Sequence, residues 1–231
     1  MIYKNWKPIY KEILKDFNFQ EEKDILAADI LNKLLHKKEN CTLGKLEELI
    51  FGKEIAVFGA GHSLKKSIFS YKKEYENKLK IAADGATSAL IENDILPDII
   101  VTDLDGKLLD QLKANLEGSI LVIHAHGDNI EKIKEYVPKF RGNVLGTTQT
   151  DPRPYENLHN FGGFTDGDRA SFLANNFNAK KITLFGFDFD GKIGKYSFLD
   201  NKDKNIKLKK LKWCEFLIDE IKNSGQNIQE I

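Results

Sequence analysis

The chain has 231 residues, of which 41% are hydrophobic and 30% charged, as is usual for a globular protein. Its 35 basic and 35 acidic residues give a formal net charge of zero, so we expect neither a nucleic-acid nor a membrane partner. Two distant cysteines without metal-ligand spacing, and an amino terminus that does not read as a signal peptide, predict a cytoplasmic protein.

Residues 1–51 are predicted to form a helical extension. Apolar residues recur there at helical spacing in two segments, and a shorter third helix follows. We expect these helices to form a packing layer in which Trp6, Phe17 and Phe19 belong to the core rather than to a ligand site. The remainder, residues 52–231, is predicted to be a separate α/β domain that carries the functional site.

From residue 54 onward, short apolar segments alternate with helical ones. This alternation predicts an α/β fold with a mostly parallel, Rossmann-like sheet and flanking helices, closed by a C-terminal helix. The carboxyl ends of the strands in such a sheet share one edge, and ligands bind there. Polar residues that follow the predicted strands are therefore the candidate site residues.

The first strand runs into a glycine-rich turn that contains Gly59, Gly61 and Ser63. Such a turn before a helix can offer backbone N–H groups to a phosphate, so we predict that it binds nucleotide. It carries two of the three glycines of the dinucleotide fingerprint, because Leu64 stands at the third position.

Three aspartates follow the next two strands. Asp84 ends one strand, and Asp103 and Asp105 follow the other. Carboxylates gathered in one crevice repel each other unless a cation lies between them, and an all-oxygen ligand set favours Mg²⁺. The alternative is that these residues only cap the helices that follow.

Histidines follow the most apolar strand, in the segment His124-Ala-His126-Gly-Asp128. One interpretation is a transition-metal site made of these three side chains. The favoured interpretation is that His126 and Asp128 contact the nucleotide or cap the next helix.

A later helix begins with Thr165-Asp166-Gly-Asp168-Arg169. Thr165 or Asp166 could be a plain N-cap. The grouping also resembles a metal-and-phosphate corner, in which Asp166 and Asp168 bind metal, Thr165 contacts nucleotide and Arg169 clamps phosphate. Asp188, beyond the last clear strand, is predicted to face the substrate or to organise a turn.

The segment Asp84-Gly-Ala, followed by Leu-Pro-Asp-Ile-Ile-Val-Thr-Asp-Leu-Asp-Gly at 96–106, resembles the core of thiamin pyrophosphokinases. Thr165-Asp166 resembles that family's Thr-Asp helix start, although the acidic residues that usually precede it are missing. Over nearly its full length the chain is more similar to archaeal 6-hydroxymethyl-7,8-dihydropterin pyrophosphokinases. No series of alternating strands follows Asp190, so we expect no thiamin-binding β-sandwich, which favours the pterin.

The resemblance implies Mg²⁺-dependent transfer of diphosphate from ATP to the hydroxymethyl group of the pterin, with release of AMP. This reaction serves methanopterin or folate synthesis, and related enzymes are dimers, so a homodimer is possible. Given this reaction, we assign roles to individual side chains by their chemistry. Asp105 and Arg169 are assigned to catalysis, and Asp188 and His126 to pterin binding. The residues assigned to metal binding are Asp84, Asp103, Asp105, Asp166 and Asp168.

Three rival functions stay open at this point. A dinucleotide-dependent oxidoreductase would explain the glycine-rich turn and Asp84 but not the Asp103/Asp105 pair. A nucleotide-sugar-dependent glycosyl-transfer module could use the same carboxylate and metal site. Thiamin itself could be the acceptor, although the missing sandwich disfavours it.

Overall fold

The computed structural model describes residues 5–38, 40–192, 194–197 and 204–231. Three helices precede the first strand, as predicted: α1 (Trp6–Phe17), α2 (Glu21–Leu35) and α3 (Leu43–Ile50). The elements that follow are β1 (Glu54–Phe58), α4 (Leu64–Ser70), α5 (Lys72–Tyr75), β2 (Leu79–Ala83), α6 (Ala86–Ile91), β3 (Ile99–Thr102), α7 (Leu108–Leu116), β4 (Ile120–Ala125), α8 (Ile130–Tyr136), β5 (Val144–Thr148), β6 (Leu158–His159), α9 (Asp166–Asn176), β7 (Lys181–Phe185), α10 (Lys204–Asn223) and β8 (Ile228–Glu230).

The strands form a single eight-stranded sheet in the order β6-β5-β4-β3-β2-β1-β7-β8. Every pairing between these strands is parallel. The predicted fold class is therefore confirmed, with a sheet that is parallel throughout. Because β2, β3 and β4 are neighbours, the residues that follow them meet at one carboxyl edge.

Alternate residues of the strands point into two apolar cores, one on each face of the sheet. The first core packs β-strand residues against α1, α3, α9 and α10, and the second packs them against α2, α4, α6, α7 and α8. The chain thus changes faces between α1 and α2. The turn between these helices, residues 18–20, passes the carboxyl edge on its way, which brings the N-terminal extension to the ligand-binding side of the sheet.

The sequence patterns missed two short edge strands. β6 has two residues and lies between β5 and α9, and β8 has three residues after α10. Neither is long enough to show the two-residue alternation that identifies a strand.

Among the described helices, none combines the length and the apolar composition that a membrane span requires.

Candidate active site

Three carboxylates meet at the carboxyl edge of the sheet. Asp84 follows β2, Asp103 follows β3, and Asp166 is the first residue of α9. One oxygen atom of each lies within 4.8 Å of the others, and among the described residues they form the one such group of possible metal ligands. The structure therefore brings the two strand ends together as expected, and adds a third carboxylate from a helix that packs over the sheet.

Asp84 is fixed by three hydrogen bonds to the same oxygen. Its Oδ1 atom accepts from the Thr102 hydroxyl at 2.6 Å, the Gln111 amide at 2.9 Å and the Gly106 backbone N–H at 3.2 Å. Its backbone adopts a left-handed φ of 38°, a conformation that is uncommon outside glycine. Such strain is typical of functional sites.

The turn after β3 holds Asp103 and Asp105 around a buried leucine. Leu104 is fully buried, has a φ of 67°, and donates its N–H to the Thr102 hydroxyl at 2.8 Å. Asp105 lies outside the three-carboxylate group but is hydrogen-bonded to the side chain of Asp84. The two aspartates of this turn therefore contact the cluster differently, Asp103 as a member and Asp105 through Asp84.

The cluster holds less negative charge than three free carboxylates would. Burial, and then the charges of Asp105 and Asp103, raise the pKa of Asp84 to about 8. Burial and the charge of Asp103 likewise raise the pKa of Asp166 well above its usual range. Burial acts in the same direction on Asp103, but the hydrogen bond from His126 and the charges of Arg169 and Lys210 lower its pKa well below the usual range. The surroundings therefore favour the ionised form of Asp103 and disfavour the ionised forms of Asp84 and Asp166.

His126 positions Asp103. Its Nε2 atom lies 3.2 Å from Asp103 Oδ2, and its Nδ1 atom accepts the Asp128 backbone N–H at 3.3 Å. Because Nδ1 is an acceptor, the ring proton lies on Nε2 and is donated to the carboxylate. His124 is separate: it is buried and hydrogen-bonds Thr147 through Nδ1 at 3.0 Å. The two histidines and Asp128 are thus not gathered into a metal site.

The start of α9 divides its polar residues between two tasks. Arg169 donates from Nη1 to Asp166 Oδ1 at 3.1 Å and is 7% exposed. Asp168 instead caps the helix, because its carboxylate accepts the backbone N–H groups of Phe164 and Thr165 and the Thr165 hydroxyl. The structure therefore does not bring Asp168 or Thr165 to the carboxylate group, although both lie within one helical turn of it.

The glycine-rich turn after β1 is occupied by the neighbouring β7 segment. The backbone N–H groups of Gly59 and Gly61 donate to the carbonyls of Phe185 and Gly186 at 2.8 and 2.9 Å. The Ser63 N–H donates to Asp188 Oδ2 at 2.8 Å. These amides have no free hydrogen for a phosphate, so we do not propose a backbone phosphate site here. Asp188 organises this turn rather than lying at the carboxylate group.

A cavity of about 280 Å³ adjoins the carboxylates. Asp103, His126, Asp128 and Arg169 line it at the sheet edge, and the α1–α2 turn closes it from outside the α/β domain. A larger depression of about 620 Å³ is lined by Glu54, where β1 begins, and by other charged residues. It lies at the amino edge of the sheet, opposite the carboxylates, and so has no part in this site.

The residues fit a divalent cation by the chemistry of their donors. Three carboxylates within reach of one point are hard oxygen ligands, and the buried Asp103 Oδ1 atom has no hydrogen-bond partner among the residues that the structure describes. Sequence patterns did not identify Thr102 and Gln111, which hold Asp84. Both are uncharged residues on regular elements, and no spacing rule distinguishes them from core residues.

Gly106 gives a first testable prediction. A Cβ atom there would lie 2.5 Å from Asp84 Oδ2, so Gly106→Ala is expected to displace this carboxylate. We expect Mg²⁺ binding, measured by calorimetry, to weaken about tenfold or more, and the free energy of unfolding to fall by about 1–3 kcal/mol. The control is Gly44→Ala, whose added methyl group meets nothing closer than Thr42 Oγ1 at 3.9 Å. Equal Mg²⁺ affinity in both variants would contradict the placement of Asp84.

Comparison with known proteins identifies relatives along nearly the whole chain. Residues 27–194 match a family described as 6-hydroxymethylpterin diphosphokinase MptE-like. A protein of Methanocaldococcus jannaschii, named 6-hydroxymethyl-7,8-dihydropterin pyrophosphokinase, is 46% identical, with 96% of this chain and 97% of the relative covered. Proteins of the same name from Pyrococcus furiosus and Methanothermobacter thermautotrophicus are 43% and 40% identical, over 98% and 95% of this chain and 96% and 95% of theirs.

Among solved structures, the MAf glycosyltransferase of Magnetospirillum magneticum shares 19% identity over 60% of this chain and 23% of its own, with a TM-score of 0.41. This likeness is too weak to bear on function.

Proposed function

The chain belongs to the MptE-like family of 6-hydroxymethylpterin diphosphokinases, and from this premise we propose that it transfers diphosphate from ATP to a hydroxymethyl dihydropterin. The proposed products are the pterin diphosphate and AMP, and the proposed cofactor is Mg²⁺. The observation that carries the proposal is the buried group of Asp84, Asp103 and Asp166 at the carboxyl edge of the sheet. A pyrophosphokinase needs a cation site beside its polyphosphate, and this group fits that need.

In the proposed reaction, the hydroxyl oxygen of the pterin forms a bond to the β-phosphorus of ATP. The bond from that phosphorus to the oxygen bridging the α- and β-phosphates breaks, AMP leaves with the electron pair, and the hydroxyl proton is released. Asp84, Asp103 and Asp166 would hold a Mg²⁺ ion, and this ion would neutralise the charge of the phosphates. Because such a transition state is loose, positioning and electrostatics dominate catalysis.

The chain's own residues then have distinct proposed roles. His126 keeps Asp103 oriented and ionised through its Nε2–H donor. Arg169 orients Asp166 through Nη1 and can turn its remaining N–H groups toward phosphate oxygens. Asp105, hydrogen-bonded to Asp84 and outside the cation group, is the carboxylate we propose to take the hydroxyl proton.

The raised pKa of Asp84 predicts the pH dependence of metal binding. With a pKa near 8, this carboxyl must lose a proton to bind Mg²⁺, so affinity should rise at least about tenfold per pH unit up to about pH 8. In the metal-free protein the same shift from 3.8 to about 8 means that stability is lost as the pH rises through this range, because only the unfolded chain releases the proton. Mg²⁺ titrations and melting curves across this range test both statements. In Asp84→Asn, Mg²⁺ affinity and stability should both depend less steeply on pH. An unchanged pH dependence would contradict the assignment of Asp84 as the titrating group.

The experiment that tests the function is a panel of acceptors. The protein is incubated with Mg-ATP and, separately, a hydroxymethyl dihydropterin, thiamin and a sugar acceptor, and AMP is measured. We expect AMP only with the pterin, in equal amount to the diphosphorylated product. AMP formation with thiamin, or release of ADP in place of AMP, would overturn the proposal.

A further inference from the structure

We propose that the cavity beside Asp103 holds the polyphosphate of ATP and that Lys210, together with Lys23 from the other face of the sheet, binds it. This inference rests on the proposed function. It adds two phosphate-binding residues from helices that do not carry the carboxylates, and so gives both α2 and α10 a part in binding. The position of Lys210 on its helix, its contacts and the lining of the cavity support the inference.

Lys210 occupies a position of α10 where an apolar residue is expected. The buried residues of this helix form one seam along it, and they are Cys214, Leu217, Ile218 and Ile221. Residues four apart lie on the same face of a helix, and Lys210 lies four residues before Cys214. The stem of Lys210 therefore extends along the packing face of α10, and the residue is half-buried rather than solvated.

The end of α1 fixes how α10 lies at this point. Asp16 Oδ1 lies 2.7 Å from Lys209 Nζ, and Asp16 Oδ2 accepts the Trp213 indole N–H at 2.7 Å. Lys210 is directed elsewhere, because its Nζ atom lies 5.7 Å from the centroid of the Phe164 ring. This distance is within the range of a cation–π contact and places the ammonium group beside the start of α9.

Lys210 lines the cavity without an anionic partner among the described residues. It shares this lining with Asp103, and its charge is one of those that lower the pKa of Asp103. Within the described part of the chain, it forms no hydrogen bond or ion pair with any side chain. Charged side chains that withdraw from solvent usually do so beside an opposite charge. An anionic ligand in the cavity would supply that charge.

The rest of the lining suits a polyphosphate. Lys23, in the first turn of α2, is a second cation of the lining. Asp24 is already committed to three hydrogen bonds within the protein, and Asp103 to His126 and the proposed cation. The volume of about 280 Å³ lies at the lower end of ligand sites, so the cavity suits the phosphates better than a whole nucleotide.

The test is the binding of a non-hydrolysable donor to Lys210→Met. Methionine keeps an unbranched apolar stem and removes the ammonium group. The probe is the Mg²⁺ complex of α,β-methylene-ATP, in which the bond that the proposed reaction breaks is replaced, and calorimetry measures its Kd. We expect this Kd to rise about tenfold to a hundredfold, as for the loss of a hydrogen bond between charged groups. Lys210→Arg keeps the charge and should change it no more than about threefold.

Lys212→Met is the matched control. Lys212 is an exposed residue of the same helix and does not line the cavity, so its Kd for the analogue should stay within about twofold of the wild type. Mg²⁺ without nucleotide is the second control. Lys210→Met removes a positive charge from beside the cation site, so the affinity for Mg²⁺ alone should not fall. Equal Kd values for the analogue in the two variants would overturn the proposal, and so would a matching loss of Mg²⁺ binding in Lys210→Met.

Inorganic triphosphate separates the phosphates of the donor from its adenosine. Its Mg²⁺ complex carries the same anionic groups, so Lys210→Met should weaken its binding by a similar factor. A loss of affinity for the ATP analogue alone would place Lys210 at the adenosine and would contradict the proposal.

Lys23→Met covers the case in which Lys210→Met does not fold. Lys23 is exposed, so its replacement should leave Tm within about 2 °C of the wild type. The Kd for the ATP analogue should rise about threefold to tenfold. An unchanged Kd in Lys23→Met would show that the cavity does not hold the polyphosphate.

The outcome is distinguishable from failure of the proposed function. Binding of the ATP analogue needs no acceptor, so it tests the cavity even if the wild-type protein forms no AMP with the pterin. In that case the diphosphokinase proposal fails by itself, while weaker binding to Lys210→Met than to Lys212→Met still supports the polyphosphate site. Failure of the wild-type protein to bind the analogue would overturn the inference.

Discussion

Replacing Asp103 by asparagine is expected to lower kcat for diphosphate transfer at least about a thousandfold. Asp103 is the carboxylate of the group that the protein keeps ionised, through His126 and the charges of Arg169 and Lys210. Asparagine keeps the shape but removes the charge that would hold the cation beside the triphosphate, an effect worth several kcal/mol. Steady-state turnover with saturating Mg-ATP measures it, because a defect in metal affinity alone would be recovered at high Mg²⁺.

Asp98→Asn is the matched control for this variant. Asp98 lies directly before β3, and Asp103 lies directly after it. The two variants therefore remove the same charge from opposite ends of one strand. Asp98 is exposed and accepts the Lys80 N–H, which the asparagine oxygen can still do. Turnover should be close to that of the wild type. Near-normal turnover in Asp103→Asn as well would remove Asp103 from the catalytic site.

Replacing Asp24 by asparagine is expected to lower the free energy of unfolding by about 3 kcal/mol. The carboxylate is 4% exposed and joins three segments, because it accepts the Tyr10 hydroxyl, the Gln149 amide and the Gly127 backbone N–H. An asparagine would place its own N–H₂ group against one of these donors. For a chain of 231 residues this loss corresponds to a fall in Tm of about 6–12 °C, measured by thermal denaturation.

The control for Asp24 is Glu22→Gln. Glu22 is an exposed residue in the first turn of the same helix, so this variant also removes one negative charge from α2. We expect its Tm to change by about 2 °C or less, as is typical of surface substitutions. A similar Tm in both variants would show that the network around Asp24 does not stabilise the fold.

The fold was accessible from sequence because its elements obey simple periodicity. The strand Glu54–Phe58 contains a continuous apolar run from Ile55 that ends at a glycine, and the helices of the extension repeat apolar residues every three to four positions. β6 and β8 were not predicted because strands of two or three residues are too short to show an alternation of apolar and polar residues. Their pairing is fixed by tertiary contacts with β5 and β7, which no local pattern contains.

The site was accessible in part for a similar reason. Parallel topology brings Asp84 and Asp103 to one edge, so strand ends alone predicted that they would meet. The sequence could not show which residue of the motif Thr165-Asp166-Gly-Asp168 joins them. Asp166 and Asp168 are the same residue type, and only their directions around the axis of α9 distinguish them. The glycine-rich turn was misleading, since Gly61 serves close packing: a Cβ there would lie 2.3 Å from Asp188 Oδ2. Phe19, which lines the cavity, was missed because its approach depends on the chain crossing from one face of the sheet to the other between α1 and α2.

The most direct test of the proposed cation site is a crystal structure with Mn²⁺ and a non-hydrolysable ATP analogue. Mn²⁺ substitutes for Mg²⁺ at oxygen ligands and gives an anomalous signal. We predict an anomalous peak coordinated by Asp84, Asp103 and Asp166 and in contact with the analogue's phosphate oxygens. A Mn²⁺–nucleotide complex bound elsewhere, with these three carboxylates free of metal, would contradict it.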